Sequence, residues 1–158
     1  MDHSDEILIQ LRQNIGELPP WLRLALLEHG QKERQGPADN PRILQYFEST
    51  RYHAQHDEVP WCAAFVCHCL EHAGVASTRS ARAASFADWG QGCAPRLGAI
   101  VVLGKSDPDA GGSGHVAFWV GEDDQGYCYL LGGNQSNAVN IARRRASRIV
   151  ACRWPEVV

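Results

Sequence analysis

The stretch Asp57-Glu58-Val59-Pro60-Trp61-Cys62-Ala63-Ala64-Phe65-Val66 decides how the rest of the chain is interpreted. It runs from two acids through a proline into small and apolar residues, which predicts a helix with a cysteine in its first turn. The acids can cap the free N–H groups where that helix begins. The positive end of the helix dipole favours the thiolate, which is the nucleophilic form of cysteine. The alternative is a buried structural cysteine, because free cysteines are among the most buried residues.

Length and charge narrow the class of protein. The chain has 158 residues, which predicts a single domain over 1–158. With 15 basic and 18 acidic side chains, the chain has no excess of positive charge that would attract a nucleic acid or an anionic membrane. No apolar run approaches transmembrane length, so we expect no nucleic-acid partner and no membrane insertion. The six cysteines show no C-x-x-C pair, so we expect mostly reduced thiols and no structural zinc.

Hydrophobic periodicity divides the chain into helices followed by strands. Helices are predicted over 5–18, 20–29, from the Asn40-Pro41 cap onward, from Cys62 to Gly74, and as a short helix or loop over 80–89. Strands are predicted over 97–103, 115–121, 127–133, 138–142 and 148–154. Helices first and strands later indicate an α+β domain with an antiparallel sheet. Residues 1–18 are interpreted as a possible N-terminal helical extension.

A histidine and an asparagine on adjacent predicted strands supply a candidate site. His115 stands where a glycine-rich loop enters a strand. A four-residue hairpin loop over 123–126 would pair Glu122 with Tyr127 and set His115 opposite Asn134, within hydrogen-bonding reach. A shift of one residue would send Asn134 to the other face of the sheet.

If this register holds, Asn134 fixes the orientation of the imidazole, and its other nitrogen faces the Cys62 thiol. This is the Cys–His–Asn arrangement of thiol hydrolases, in which the sulfur attacks a carbonyl and the imidazolium protonates the leaving amine. The backbone N–H of Cys62 can hold the oxyanion, with the side chain of Gln55 as a second donor. Considered alone, His115 is also explained as a histidine satisfied at a strand end.

Three blocks of sequence together resemble one family. Pro60–Val66, Gly114-His115-Val116-Ala117-Phe118 and Gly132-Gly133-Asn134-Gln135-Ser136 are similar, in that order, to the NlpC-type and CHAP (cysteine, histidine-dependent amidohydrolase/peptidase) enzymes. The resemblance runs from about Pro20 to Pro155. It implies a papain-like fold, with a nucleophile helix packed on an antiparallel sheet. It also implies Cys62 as nucleophile, His115 as base and Asn134 as the third member.

The same resemblance suggests residues that contact the substrate. The segment from Arg82 to Ser85 lies where relatives carry an Arg-x-x-Ser/Thr element beside the cleft. Gln135 lies in the third block and is assigned to substrate binding, as is Trp119, which shares the predicted face of His115. Many relatives have Asp-Cys at the nucleophile, whereas this chain has Trp61-Cys62. Trp61 would then form a wall of the groove.

The resemblance implies a peptidoglycan hydrolase that cleaves an amide bond in the peptide part of the bacterial cell wall without a metal or organic cofactor. The N-terminus lacks the features of a signal peptide. We therefore expect synthesis in the cytoplasm and action in the periplasm or wall, after lysis as a phage lysin or after export as a type VI secreted effector. An effector would have an immunity protein as inhibitor.

Three other functions are compatible with the sequence. A papain-like thiol protease or deamidase would act on a protein substrate, and a non-catalytic wall-binding module would keep the fold without turnover. His68 and His72, four residues apart near Cys67 and Cys69, would suit metal or redox sensing, although the H-E-x-x-H glutamate is missing.

Overall fold

The computed structural model describes residues 3–34, 39–52, 60–104 and 114–156. The α-helices in these ranges are α1 (His3–Gln13), α2 (Pro20–Leu27), α3 (Pro41–Tyr46) and α4 (Cys62–His72). Short 3-10 turns lie at Ile15–Glu17, Phe47–Ser49, Ala83–Phe86 and Ala146–Arg148. The strands are β1 (Gln91–Gly92), β2 (Ile100–Leu103), β3 (His115–Glu122), β4 (Tyr127–Gln135), β5 (Ala138–Arg145) and β6 (Ile149–Trp154). Within the described ranges, no helix has the length and apolar character needed to cross a membrane.

Local signals in the sequence set where the first helices begin and end. Asn40 caps α3, since its side-chain oxygen accepts a hydrogen bond from the Arg42 N–H at 2.8 Å, and Pro41 occupies the first helical position. This confirms the predicted capped start. Helix α1 ends at Gln13, earlier than predicted, and a 3-10 turn containing Gly16 follows. Glycine has low helix propensity, which explains the early end.

Helix α4 is the centre of the fold. Every residue from Cys62 to Leu70 is buried, because the helix packs on β3 and β4 on one side and on α2 and α3 on the other. A helix that is buried all round must carry small or apolar residues on every face, and Ala63 and Ala64 allow the close approach. This packing places the cysteine at the start of α4 against the sheet.

The strands form one six-stranded antiparallel sheet in the order β1-β6-β2-β3-β4-β5. Alternate residues face α4 and the opposite side: Val116 and Phe118 belong to the core on the helix side, whereas Ala117 and Leu130 pack on the other face. The architecture confirms the predicted α+β class and its antiparallel sheet. Strand β1 was not predicted, because two residues are too few to show the alternation of apolar and polar side chains that indicates a strand.

The register between β3 and β4 differs from the prediction at the hairpin. Glu122 pairs with Cys128 rather than with Tyr127, so this end is shifted by one residue. A register shift between Trp119 and Gly121 then restores the predicted pairing, and Phe118 lies opposite Leu131. The hairpin loop was therefore misassigned, and a bulge in β3 compensates for the error before the strand reaches His115.

Candidate active site

Cys62 occupies the first position of α4, so the helix begins two residues later than it would with Pro60 at that position. The N-cap is Trp61, which makes no side-chain capping bond, and Pro60 precedes it. The first N–H groups of a helix have no intrahelical acceptor. They therefore remain available around the Cys62 side chain. The predicted caps Asp57 and Glu58 lie outside the described residues.

Two opposing effects act on the Cys62 thiol. Burial raises its pKa, and the N–H groups of Val116, Ala63 and Cys62 itself act in the opposite direction. The net direction is upward, so burial outweighs the start of the helix, contrary to the expectation that the dipole favours the thiolate. The upward shift favours the protonated thiol, so attack by the sulfur requires a base that takes its proton.

The pairing of β3 with β4 ends at Phe118 and Leu131, near the residue that contacts this thiol. The Trp119 N–H donates to the Ala99 oxygen at 2.8 Å, toward β2. Because N–H groups alternate in direction along a strand, the Val116 N–H points the other way, toward β4. The Cys62 thiol contacts this Val116 N–H. Val116 lies two residues before Phe118, which pairs with Leu131 of β4. Cys62 is thereby held against the residue that follows His115.

His115 is hydrogen bonded to Gln135. Its Nε2 lies 2.9 Å from the Gln135 Oε1, and the exposed fractions of the two residues are 6% and 1%. A buried hydrogen bond of this kind fixes the ring orientation, because either group would lose its partner on rotating away. The sequence analysis assigned this position to Asn134 and placed Gln135 among the substrate-binding residues. The structure places Gln135 on the imidazole instead.

The contacts of Gln135 decide which imidazole nitrogen carries the proton. Its Nε2 lies 3.1 Å from the Leu130 carbonyl oxygen, and 2.8 Å and 3.0 Å from the carbonyl and side-chain oxygens of Asn140. A carbonyl oxygen only accepts, so this atom is the amide NH₂ and the atom facing His115 is an acceptor. His115 Nε2 is accordingly the N–H donor. In the neutral ring, Nδ1 then carries the lone pair.

A bulge in β4 explains why Gln135 replaces Asn134. The pairing with β5 shifts between Gly132 and Gln135, and Asn134 has a φ of 56°, in the left-handed region that asparagine tolerates. The extra residue turns Gln135 onto the face that carries Ala117 and His115. A Cβ on Gly132 would lie 2.6 Å from the Ala117 Cβ and 3.2 Å from the Gln135 Oε1, so only glycine leaves room for this amide.

Trp61 does not form a wall of the groove. Its side chain is fully buried, and its Nε1 donates to the Glu33 Oε1 at 3.0 Å. The indole occupies the space that a side chain at Gly133 would fill, since an added Cβ there would lie 2.6 Å from the Trp61 Cζ3. The predicted substrate contact is therefore corrected to a core residue that fixes the start of α4.

Four other residues were predicted to contact the substrate or its oxyanion: Arg82, Ser85, Trp119 and Gln55. Arg82 is exposed, and the Ser85 hydroxyl is hydrogen bonded to Thr78 Oγ1 at 2.8 Å. Their turn lies beside the start of β3, because a Cβ on Gly114 would be 3.9 Å from the Ala83 Cβ. Trp119 is half-buried further along the strand, on the face of His115. Gln55, the predicted oxyanion donor, lies outside the described residues.

His68 and His72 lie away from this pair, on the side of α4 that meets α3. Their ring centroids are 4.2 Å apart, and the His68 ring also contacts Tyr46 at 4.9 Å. Across the ranges that the structure describes, no group of three or more His, Cys, Asp or Glu side chains is arranged to hold a metal ion. The His68 Nδ1 is buried without a hydrogen-bond partner.

Comparison with known protein families identifies a domain in the chain. Residues 54–134 match the family model of the CHAP domain, and this range begins before α4 and includes Cys62, His115 and Asn134. Gln135 is the residue immediately after the matched range. No curated protein matches the chain.

Proposed function

Because the chain belongs to the CHAP domain family, a peptidoglycan hydrolase/amidase domain of the papain-like cysteine peptidase type, we propose that Cys62 and His115 cleave an amide bond in the peptide part of peptidoglycan. The family indicates peptidoglycan as the substrate class. The observation that carries the proposal is the buried His115–Gln135 hydrogen bond, 2.9 Å long, next to the Val116 N–H that contacts the thiol. This arrangement supports a role for His115 as a base that is held in one tautomer beside Cys62.

The first half of the reaction uses the lone pair on His115. Nδ1 takes the proton of the Cys62 thiol as the sulfur attacks the carbonyl carbon. This general-base step is needed because burial raises the pKa of that thiol. Gln135 Oε1 accepts from Nε2–H throughout and stabilises the imidazolium that forms. Gln135 is thus the third member of the site, in the role that the sequence assigned to Asn134.

The start of α4 stabilises the negative charge that develops on the substrate oxygen. The Cys62 N–H is among the groups without an intrahelical acceptor, and Trp61 adds no side-chain cap. Such an N–H is suited to hold the oxyanion. The imidazolium then protonates the leaving amine, which departs and leaves a thioester on Cys62. Water, activated by His115, hydrolyses the thioester and restores the thiol.

We further propose that residues 1–158 act as one hydrolase domain. Ile7 and Leu11 of α1 belong to the same buried core as α4, and a Cβ on Gly121 of β3 would lie 3.0 Å from the Ile7 Cδ1. The segment predicted as an N-terminal extension therefore packs on the catalytic sheet, which supports a structural role for it.

We also propose that the protein acts outside the cytoplasm, where peptidoglycan lies. The proposal accordingly includes release by lysis, as for a phage lysin, or export as an antibacterial effector with an immunity protein that covers the cleft. Both routes are suggested by the peptidoglycan substrate of the family.

Product analysis tests the proposed reaction. Purified protein is incubated with sacculi from Gram-negative and Gram-positive bacteria and, separately, with an unfolded protein such as casein. Released fragments are identified by mass spectrometry. An endopeptidase releases fragments with a cut within the stem peptide or cross-link, and an amidase separates stem peptides from intact glycan chains. Cleavage of casein with intact sacculi would contradict the proposal in favour of a protein substrate, and binding to sacculi without any cleavage would indicate a wall-binding module.

A further inference from the structure

Two partly exposed thiols face each other at the edge of the sheet, away from the proposed active site. The Sγ atoms of Cys93 and Cys152 are 3.6 Å apart, although the residues are 59 positions apart in the sequence. The other cysteines, Cys62, Cys67, Cys69 and Cys128, are buried. Cys93 and Cys152 are thus the two thiols that solvent reaches most readily, and they are already in contact.

The backbone holds these thiols in position for a covalent bond. Gly92 pairs with Arg153 in the antiparallel ladder of β1 and β6, and the Cys93 N–H donates to the Cys152 carbonyl at 3.0 Å. The two cysteines are therefore directly opposed on neighbouring strands. Opposed residues of an antiparallel pair have Cα atoms about 4.5–5.5 Å apart, within the range that a disulfide spans. Closing the bond requires the sulfurs to approach to about 2.05 Å, a movement that side-chain rotation can supply.

We propose that Cys93 and Cys152 form a disulfide when the folded protein meets a small-molecule disulfide oxidant, and that this bond staples the edge strand β1 to β6. Nothing in the proposed catalytic mechanism uses either thiol, so the staple is a separate property of the chain. Its expected effect is to stabilise the folded protein in an oxidising environment.

The reaction proceeds by thiol–disulfide exchange. With oxidised glutathione, the Cys93 thiolate attacks one glutathione sulfur, forming a mixed disulfide and releasing one glutathione thiolate. The Cys152 sulfur then attacks the Cys93 sulfur, loses its proton, and releases the second glutathione thiolate. Two protein thiols are oxidised and one glutathione disulfide is reduced to two thiols. The same disulfide forms if Cys152 attacks first, because the second thiol then displaces glutathione from the first.

The bond would hold an edge strand that has few hydrogen bonds of its own. Strand β1 is two residues long and contacts only β6 within the sheet order, so it contributes few hydrogen bonds to keep the edge closed. A cross-link between residues 59 positions apart removes much of the freedom of the unfolded chain. We expect oxidation to raise the melting temperature by about 5–10 °C.

Peptide mapping tests the bond directly. The native protein is incubated with oxidised glutathione, blocked with iodoacetamide and digested with trypsin without reduction. Cys93 lies in the tryptic peptide 83–96 and Cys152 in 149–153, and neither peptide contains another cysteine. The expected product is these two peptides joined, lighter by two hydrogen atoms than their sum. Recovery of both peptides in alkylated form, or of Cys93 joined to a different cysteine, would overturn the proposal.

Thermal unfolding with matched variants tests the stabilisation. Wild type and Cys67→Ser should both show a higher melting temperature after oxidation, because both keep Cys93 and Cys152. Cys67→Ser is a suitable control since serine keeps the polar contacts of Cys67 with Thr78 and Ser80. Cys93→Ser and Cys152→Ser should gain none. Reduction of the oxidised wild type should return its melting temperature to the starting value, which provides a comparison without any substitution. An equal gain in Cys93→Ser would overturn the proposal.

Discussion

Replacing Gln135 by methionine separates the two candidates for the third member of the site. Methionine is of similar length and keeps the space filled, but it has neither the oxygen that accepts from His115 Nε2 nor the NH₂ that donates to Leu130 and Asn140. The imidazole would lose the acceptor that sets its tautomer and stabilises its charged form. The carbonyl groups of Leu130 and Asn140 would also lose a donor.

The magnitude follows from these contacts. A hydrogen bond to a charged group contributes about 1.5–3 kcal/mol, and each 1.4 kcal/mol is a factor of ten in rate, so we expect kcat to fall by about 10- to 100-fold. Loss of the buried donor should lower the free energy of unfolding by about 1–3 kcal/mol. The rate must therefore be measured at a temperature at which circular dichroism shows the variant to be folded.

Asn134→Gly is the matched control. Glycine adopts the φ of 56° at this position without strain, so the substitution removes the asparagine side chain and leaves the bulge intact. Rates of fragment release from sacculi should stay within about threefold of wild type for Asn134→Gly and fall for Gln135→Met. The reasoning would be refuted by the opposite pattern, in which Asn134→Gly loses tenfold or more and Gln135→Met retains wild-type rates.

Two further predictions concern the packing around α4. Gly133→Ala places a Cβ 2.6 Å from Trp61 and 2.9 Å from the Phe65 Cβ, so urea unfolding should show a loss of about 1–3 kcal/mol, and an unchanged free energy of unfolding would contradict the packing described. Burial, together with the neighbouring His72 and Arg42 side chains, lowers the pKa of His68 to about 4. The unfolded chain then binds a proton at this position below pH 6.5 and the folded chain does not, so stability falls as the pH drops from 6.5 toward 4, by about 3 kcal/mol from this residue. His68→Phe should remove that part of the loss, and an unchanged pH dependence in the variant would show that His68 does not cause it.

Much of the fold was predictable because its signals are local. The Asn40-Pro41 cap, the helix after Cys62 and the alternating strand from His115 each depend on neighbours in the sequence. The order of helices before strands then indicated the α+β class. Cys62 and His115 were both selected from such local signals, one at a helix start and one at a strand start.

The pairing partner of His115 was not predictable in the same way. It depends on two bulges, one in β3 and one in β4, and each moves the register by one residue. The first compensates for a misassigned hairpin loop, and the second turns Gln135 to the face expected for Asn134. Gly132-Gly133-Asn134 did carry a signal, since glycines weaken a strand and asparagine tolerates the left-handed conformation that a bulge requires.

The burial of Trp61 shows a second kind of limit. Its position beside the candidate nucleophile suggested a groove wall, but a tryptophan also needs space, and Gly133 on β4 supplies it. That contact joins residues 72 positions apart in the sequence, and no local pattern indicates it. The N–H bond to Glu33 likewise depends on the loop after α2.

If the Cys62 sulfur forms the bond to the substrate, its removal abolishes the reaction. Release of soluble fragments from sacculi is measured for wild type, for Cys62→Ala and for Cys67→Ser as a control that loses a different thiol from the same helix. Release is expected from wild type and Cys67→Ser, and none from Cys62→Ala, whose circular dichroism spectrum should match that of wild type. Fragment release by Cys62→Ala at the wild-type rate would contradict this expectation.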